Sequence, residues 1–388
     1  MRTESFFDRR MLSHFDWVLL GLAYLIPCLG LIVLFSAGYD PEGRDILLHW
    51  LPGDIQSIPF EKQLFFLLIS SVALVVALCI PTSWMGRAAY PLYALFFLML
   101  VLVLIPGIGV VTNGSRRWIP LGFFNLQPSE FMKTGLILFM GRYLSRNPPN
   151  PGGYRFRQLI VPFLIFVLPM ALVARQPDLG SALSLGAIGF AMVLFMGIHI
   201  RSLVIMVVAV LLAAYPAWHS LHPYQQRRVM VLFDPEADPK GSGYHINQSK
   251  IAVGSGQLFG KGYLQGTQTQ LEFLPEHTTD FIFSVLAEEW GFVGCIAVVL
   301  VYFAFLMRML RVVLRSKDLF QALVAFGVTA WLFFHVFINI GMVVGILPVV
   351  GIPLPLFSYG GSALLSCLFG VGIVLGLSMR RISYSRNT

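Results

Sequence analysis

The chain is short of charge. Of its 388 residues only 12% are Asp, Glu, Lys or Arg, where an ordinary soluble domain carries about 25%. Two or three soluble domains of this length could not cover themselves with polar surface, so a soluble enzyme and a disordered chain are both excluded. Cysteine is scarce as well. Cys28, Cys79, Cys295 and Cys367 each lie inside an apolar run without CxxC or His-paired spacing, which excludes a disulfide scaffold and a zinc site. Walker and dinucleotide glycine spacings are missing, as are a repeat of fixed period and a low-complexity tract. The first apolar run lacks a small-residue cleavage site, so it reads as a retained first helix rather than a signal peptide.

What is abundant is apolar. Hydrophobic residues make up 57% of the chain and the mean hydropathy is +0.76. This composition predicts an all-α polytopic membrane protein. A spanning helix needs about 20 largely apolar residues, and ten windows qualify, at 16–37, 62–80, 88–107, 128–144, 159–175, 180–198, 202–219, 281–307, 319–345 and 356–379. Residues 345–357 carry Pro348, Pro353 and Pro355, a density that cannot continue a helix, and read as a loop. The expected organisation is one transmembrane domain over residues 1–388 with one large loop, 220–280.

The formal net charge is +8. In a membrane protein such an excess belongs to the cytoplasmic loops rather than to nucleic-acid binding. With the N-terminus inside, sixteen of the 27 basic residues fall on the inner side against four acids, for a balance of +12, while the outer segments sum to −2. Both termini cytoplasmic and the 220–280 loop outside is the expected topology.

Ionisable groups in or beside a span are costly, so each is a candidate for function. Arg116 and Arg117 break the inside-positive pattern just before Glu130 and Lys133. The latter pair are three apart and share a helix face; either they neutralise each other or they also line a polar cavity. Arg175 sits in the turn Arg175-Gln-Pro-Asp-Leu-Gly180, where turn chemistry competes with a functional role. Lys250 belongs to a Gly- and amide-rich part of the long loop that could present cations and N–H groups to phosphate oxygens, or simply build surface turns. Asp280 leads into a span that holds Glu288 and Glu289. Desolvated beside Phe281 and Ile282, it would be a stronger base; equally, it could cap the helix that follows. His277 reads as a hydrogen-bonding loop residue.

Taken in order, these blocks resemble the SEDS family of bacterial cell-wall polymerases. The matching text is Gly114-Ser-Arg-Arg-Trp118, Gln127-Pro-Ser-Glu130, Gln176-Pro-Asp-Leu-Gly180, Gly243-Tyr-His-Ile-Asn-Gln-Ser-Lys250, Gln270-Leu-Glu-Phe-Leu-Pro-Glu276, Thr279-Asp-Phe-Ile-Phe283, Leu286-Ala-Glu-Glu289, Gly345-Ile-Leu-Pro-Val-Val-Gly351 and Phe357-Ser-Tyr-Gly-Gly-Ser362. The Gln270–Glu276 block favours the elongation branch. His277 stands one position from where the family commonly has histidine and is assigned no role.

The resemblance implies a peptidoglycan glycosyltransferase of the bacterial inner membrane that polymerises lipid II onto a nascent glycan strand. Asp280 would be the general base for the acceptor C4 hydroxyl. Arg116, Arg117, Lys133, Arg175 and Lys250 would be candidates to meet the diphosphate, and Glu130, Lys133 and Glu288 would be cavity residues. A divalent cation, Mg or Mn, could share the charge, with ligands the sequence does not show; no organic cofactor is implied. Expected partners are a class B penicillin-binding protein transpeptidase and other elongation-complex membrane proteins, with no nucleic acid. A lipid II flippase and a non-catalytic scaffold are the alternatives.

Overall fold

The computed structural model describes residues 15–39, 59–112, 115–120, 122, 125–220, 223–231, 238, 241–270, 273 and 276–380. Both ends of the chain, on which the expected cytoplasmic termini fall, lie outside the described residues. Each of the ten apolar windows holds one long helix: α1 (Trp17–Ala37), α2 (Pro59–Cys79), α3 (Thr82–Val103), α4 (Pro128–Arg146), α5 (Phe156–Ala174), α6 (Leu179–Met196) and α7 (Ile200–Ser220), then α11 (Ile282–Arg315), α12 (Leu319–Val344) and α13 (Gly361–Met379). Eight of them are long and apolar enough to cross a membrane; α4, with its charged pair, is not among the eight. The helices are apolar almost all round, as expected of segments that face lipid on one side and protein on the other.

The 220–280 segment differs from the plain polar loop expected of it. It contains α8 (Pro223–Met230), α9 (Ser242–Ser255) and the short α10 (Thr267–Gln270). Helix α9 packs on α11 and α12, burying Ile246 and Ala252. Between α3 and α4 a small antiparallel sheet forms, in the order β1 (Val110–Thr112), β2 (Ser115–Pro120) and β3 (Asn125–Leu126). Arg116 and Arg117 lie on its middle strand.

Of the eight, helices α12 and α13 are the most enclosed. Helix α13 lies close along α2 because small residues four apart, Gly372 and Gly376, face it: a Cβ at Gly372 would stand 2.5 Å from the Leu74 carbonyl oxygen. Close approach through small residues is what holds helices together where lipid supplies no hydrophobic drive. Helix α7 is the reverse case. Ser202 is its only buried residue among those described, and Val210, Leu211 and Leu212 are exposed.

Helix α11 is broken at Gly291, whose φ of +64° only glycine adopts without strain. The break is satisfied from outside. Phe292 and Val293 donate their N–H groups to the carbonyls of Gln257 and Leu258, while Lys261 and Gly262 donate to those of Glu288 and Glu289.

The proline-bearing loop between α12 and α13 runs through the protein interior. Non-helical backbone at such depth needs protein partners for its peptide groups, and it has them. Gln63 of α2 donates its amide to the Ser358 carbonyl at 3.0 Å and accepts from the Gly360 N–H at 3.1 Å. Tyr302 of α11 donates to the Pro355 carbonyl at 2.7 Å, and Ser358 accepts from Leu354 N–H at 2.8 Å. Replacing Gln63 with Leu strands two of these groups, each at a cost of about 1–3 kcal/mol. Thermal unfolding of the purified protein in detergent should show Gln63→Leu clearly destabilised; an unchanged midpoint would mean that the loop is held by other means.

Candidate active site

Asp280 lies in the turn leading into α11. The helix begins at Ile282 with Phe281 at its cap position and no side-chain cap bond, so the capping role open to Asp280 from the sequence is not the one it plays. Its backbone N–H and that of Phe281 both donate to the Glu276 carbonyl. Its carboxylate instead faces Gly351 of the proline loop: a Cβ there would stand 3.4 Å from Asp280 Oδ2. Gly351 has φ +75°, so a side chain at this position would be both strained and in contact with the carboxylate.

Burial and the neighbouring Glu276 push the Asp280 carboxyl up to about 7, with Asp178 acting in the same direction and Arg117 and Arg228 against it. Three carboxylates and two guanidinium groups thus share one small region at the ends of β2, α6, α8 and α11. Asp178 is pinned there. It caps α6 by accepting from Ser181 N–H at 3.1 Å, and its other oxygen accepts from the Gln127 amide at 3.0 Å and lies 3.8 Å from Arg117. His245 of α9 stacks on Phe281, the rings 5.9 Å apart and 9° from parallel. Its burial lowers its pKa, so the neutral imidazole is favoured.

The remaining residues nominated from sequence fall in different places. Glu130 and Lys133 pair at 2.6 Å, both buried. Ser366 of α13 donates to the second Glu130 oxygen at 3.1 Å, and the ammonium lies 5.3 Å from the Trp331 ring centre. The pair is buried, and each of its charged ends has a partner. Glu288 is wholly buried and accepts from Lys261 at 2.6 Å, Thr267 at 3.1 Å and Gln268 N–H at 3.1 Å. It fastens the 261–268 segment to α11. Arg116 donates to the Leu104 carbonyl at 3.4 Å. Arg175 ends α5 and is exposed. Lys250 lies over Gly345, the left-handed residue ending α12, where a cation suits the helix dipole. His277 bonds the Ala37 carbonyl at 3.2 Å, in keeping with a loop residue.

Several residues of this region do not stand out in the sequence. Asp178, Gln127 and His245 sit inside the motifs quoted above, but chain spacing does not show that they converge. Asn339 and Gln63 are amides within apolar windows; an amide at such a position was the available signal.

A model of the FtsW/RodA/SpoVE family, described as a cell cycle protein, matches residues 16–383. The chain belongs to this family, the SEDS family its motifs resemble. Peptidoglycan glycosyltransferase MrdB of Escherichia coli K12 is 39% identical over 386 residues, covering 99% of this chain and 98% of the relative. A chain solved within a peptidoglycan synthase complex that coordinates polymerization and crosslinking matches with a TM-score of 0.79 at 32% identity, over 95% of this chain and 99% of the other. The rod shape determining protein RodA of Thermus thermophilus matches with a TM-score of 0.68 at 30% identity, over 95% and 98%. This SEDS chain is accordingly a multi-pass protein of the inner membrane.

The buried pair gives a stability test. Removing one partner strands a buried charge at a cost of about 3–5 kcal/mol, whereas removing both costs far less. Lys133→Met should therefore lower the unfolding midpoint sharply, and adding Glu130→Gln should recover much of it. Simple additivity of the two losses would show that the pair is not internally neutralised.

Proposed function

We propose that this chain is a peptidoglycan glycosyltransferase that polymerises lipid II during cell elongation, with Asp280 as general base. The activity is the one its SEDS relatives carry by name. The observation that supports the finer reading is the setting of Asp280: a carboxyl held near neutrality, beside two guanidinium groups, at one end of the helical bundle. A base is most effective with a pKa close to the working pH. Arg117 and Arg228 present planar donors suited to phosphate oxygens.

In this reading the ionised Asp280 takes the proton of the acceptor C4 hydroxyl. The freed oxygen attacks the anomeric carbon of the donor, forming the new C–O bond as the bond to the diphosphate breaks. The electron pair leaves with undecaprenyl diphosphate, whose growing charge is met by Arg117 and Arg228. Attack opposite the leaving group turns an α-linked donor into a β-linked product. Unlike inverting hydrolysis, no second catalytic carboxylate is required, because the leaving group is already activated.

The resemblance allows a divalent cation, Mg or Mn. Among the described residues no group of three or more His, Cys, Asp or Glu side chains converges, and Asp178 has already committed its oxygens. No step above passes through such an ion. A crosslinking partner of the class B penicillin-binding type is supported by the matched chain from a synthase complex. The flippase alternative asks for polar groups along a transit path. The Glu130–Lys133 pair, closed by its own partners, lends it no support.

Two measurements test the base. With purified protein and lipid II, Asp280→Asn should abolish glycan strands, and unchanged polymer would remove Asp280 from the role. Polymerisation should also rise with pH through a midpoint near 7, since only the ionised carboxylate accepts the proton. Glu276→Gln removes a repelling charge and should move that midpoint down; Arg117→Ala removes an attracting one and should move it up. Shifts in the opposite sense would contradict an electrostatic origin for the raised midpoint.

A further inference from the structure

Asn339 is wholly enclosed on α12. Its single amide nitrogen lies 2.8 Å from the backbone carbonyl oxygen of Asp280 and 2.8 Å from that of Ile352. An amide carries two N–H groups, so both are committed, each to a different segment. One carbonyl belongs to the proposed base. The other belongs to the residue after Gly351, the glycine that faces Asp280 Oδ2. A backbone bond from Tyr359 N–H to the Thr278 carbonyl, at 3.0 Å, joins the same two segments further along.

The other polar atom of the side chain, Asn339 Oδ1, is buried without a hydrogen-bond partner. Such an atom is costly in an apolar interior. Packing alone would be served better by leucine, which has no acceptor to strand. The two donors therefore justify the residue: one holds the backbone that carries the carboxylate, the other the loop that faces it. Neither segment is helical at the contact; the turn's own bonds run back to the Glu276 carbonyl.

We infer that Asn339 is a positioning residue for glycosyl transfer: by tying the Asp280 carbonyl to the Ile352 carbonyl through one amide, it fixes where the Asp280 carboxylate points and how far it is kept from water. This rests on Asp280 being the base. A base displaced by about 1 Å loses roughly 100-fold in rate, so the effect belongs in turnover rather than in lipid II binding.

The experiment uses the full-length protein with lipid II and compares Asn339→Ala and Asn339→Asp with the unaltered chain and with Asp280→Asn. Asn339→Asp keeps the shape and replaces a donor by an acceptor facing two carbonyls. The readouts are kcat, KM, the pH midpoint and thermal unfolding. Both Asn339 variants should fold and lose about 100-fold in kcat with little change in KM. In Asn339→Ala the midpoint should fall below that of the unaltered protein as the carboxylate gains water, and in Asn339→Asp it should move up instead wherever the new carboxyl is ionised. Full activity with an unshifted midpoint in either folded variant would overturn the inference. So would a loss confined to KM, or failure of both variants to fold, which would make Asn339 a structural anchor only. The Asp280→Asn arm separates the two readings. If that variant still polymerises, the base assignment fails; if it is dead while the Asn339 variants work normally, only the positioning role fails.

Discussion

The backbone of residues 345–360 has to be satisfied inside the protein, and the rest of the site depends on that constraint. Its prolines forbid a helix, and its depth forbids reliance on water. The solution draws side chains from three helices: Gln63 from α2, Tyr302 from α11 and Asn339 from α12. Each of these bonds also fixes a helix relative to the loop. The loop thereby becomes the keystone against which α13 packs on α2, and on which the Asp280 turn comes to rest.

Charge is handled in two ways in this molecule. Within the helical bundle, two of the buried carboxylates are paired with a cation: Glu130 with Lys133, aided by Ser366, and Glu288 with Lys261, aided by Thr267; the third, Glu289, takes a hydrogen bond from Ser36. At the end of the bundle the balance is left uneven. Asp280, Glu276 and Asp178 face Arg117 and Arg228, and burial holds the Asp280 carboxyl near neutrality. A closed pair is a structural device, because exchanging its partners for a substrate would leave a buried charge uncompensated. An uneven group of charges at the edge of the bundle can accept a further charged group at much lower cost. That contrast is why the catalytic reading is placed on Asp280 and the arginines beside it rather than on the deeper pair.

Much of the architecture was legible in the sequence, for physical reasons that are easy to name. Apolar runs of spanning length have few alternatives to helices, so the ten windows hold ten helices. The i, i+3 spacing of Glu130 and Lys133 dictates their pairing wherever the helix ends up. The 220–280 segment was harder. Its helices α8 and α9 are too polar to stand out from a loop, and α9 is defined by its packing on α11 and α12. The cations nominated for the diphosphate were chosen by type and by side of the membrane, which cannot tell Arg117, beside Asp178, from Lys250 at the end of α12 or Arg175 on the surface.

The sequence alone thus determined family and helix content and nominated the carboxylate proposed as base, because these follow from hydropathy and from motifs contiguous in the chain. Only the tertiary structure decided which charges surround that carboxylate. Arg117, Asp178, Arg228, Asp280, Asn339 and Gly351 lie on six separate segments, and their meeting depends on how a proline-broken loop finds partners for its buried peptide groups.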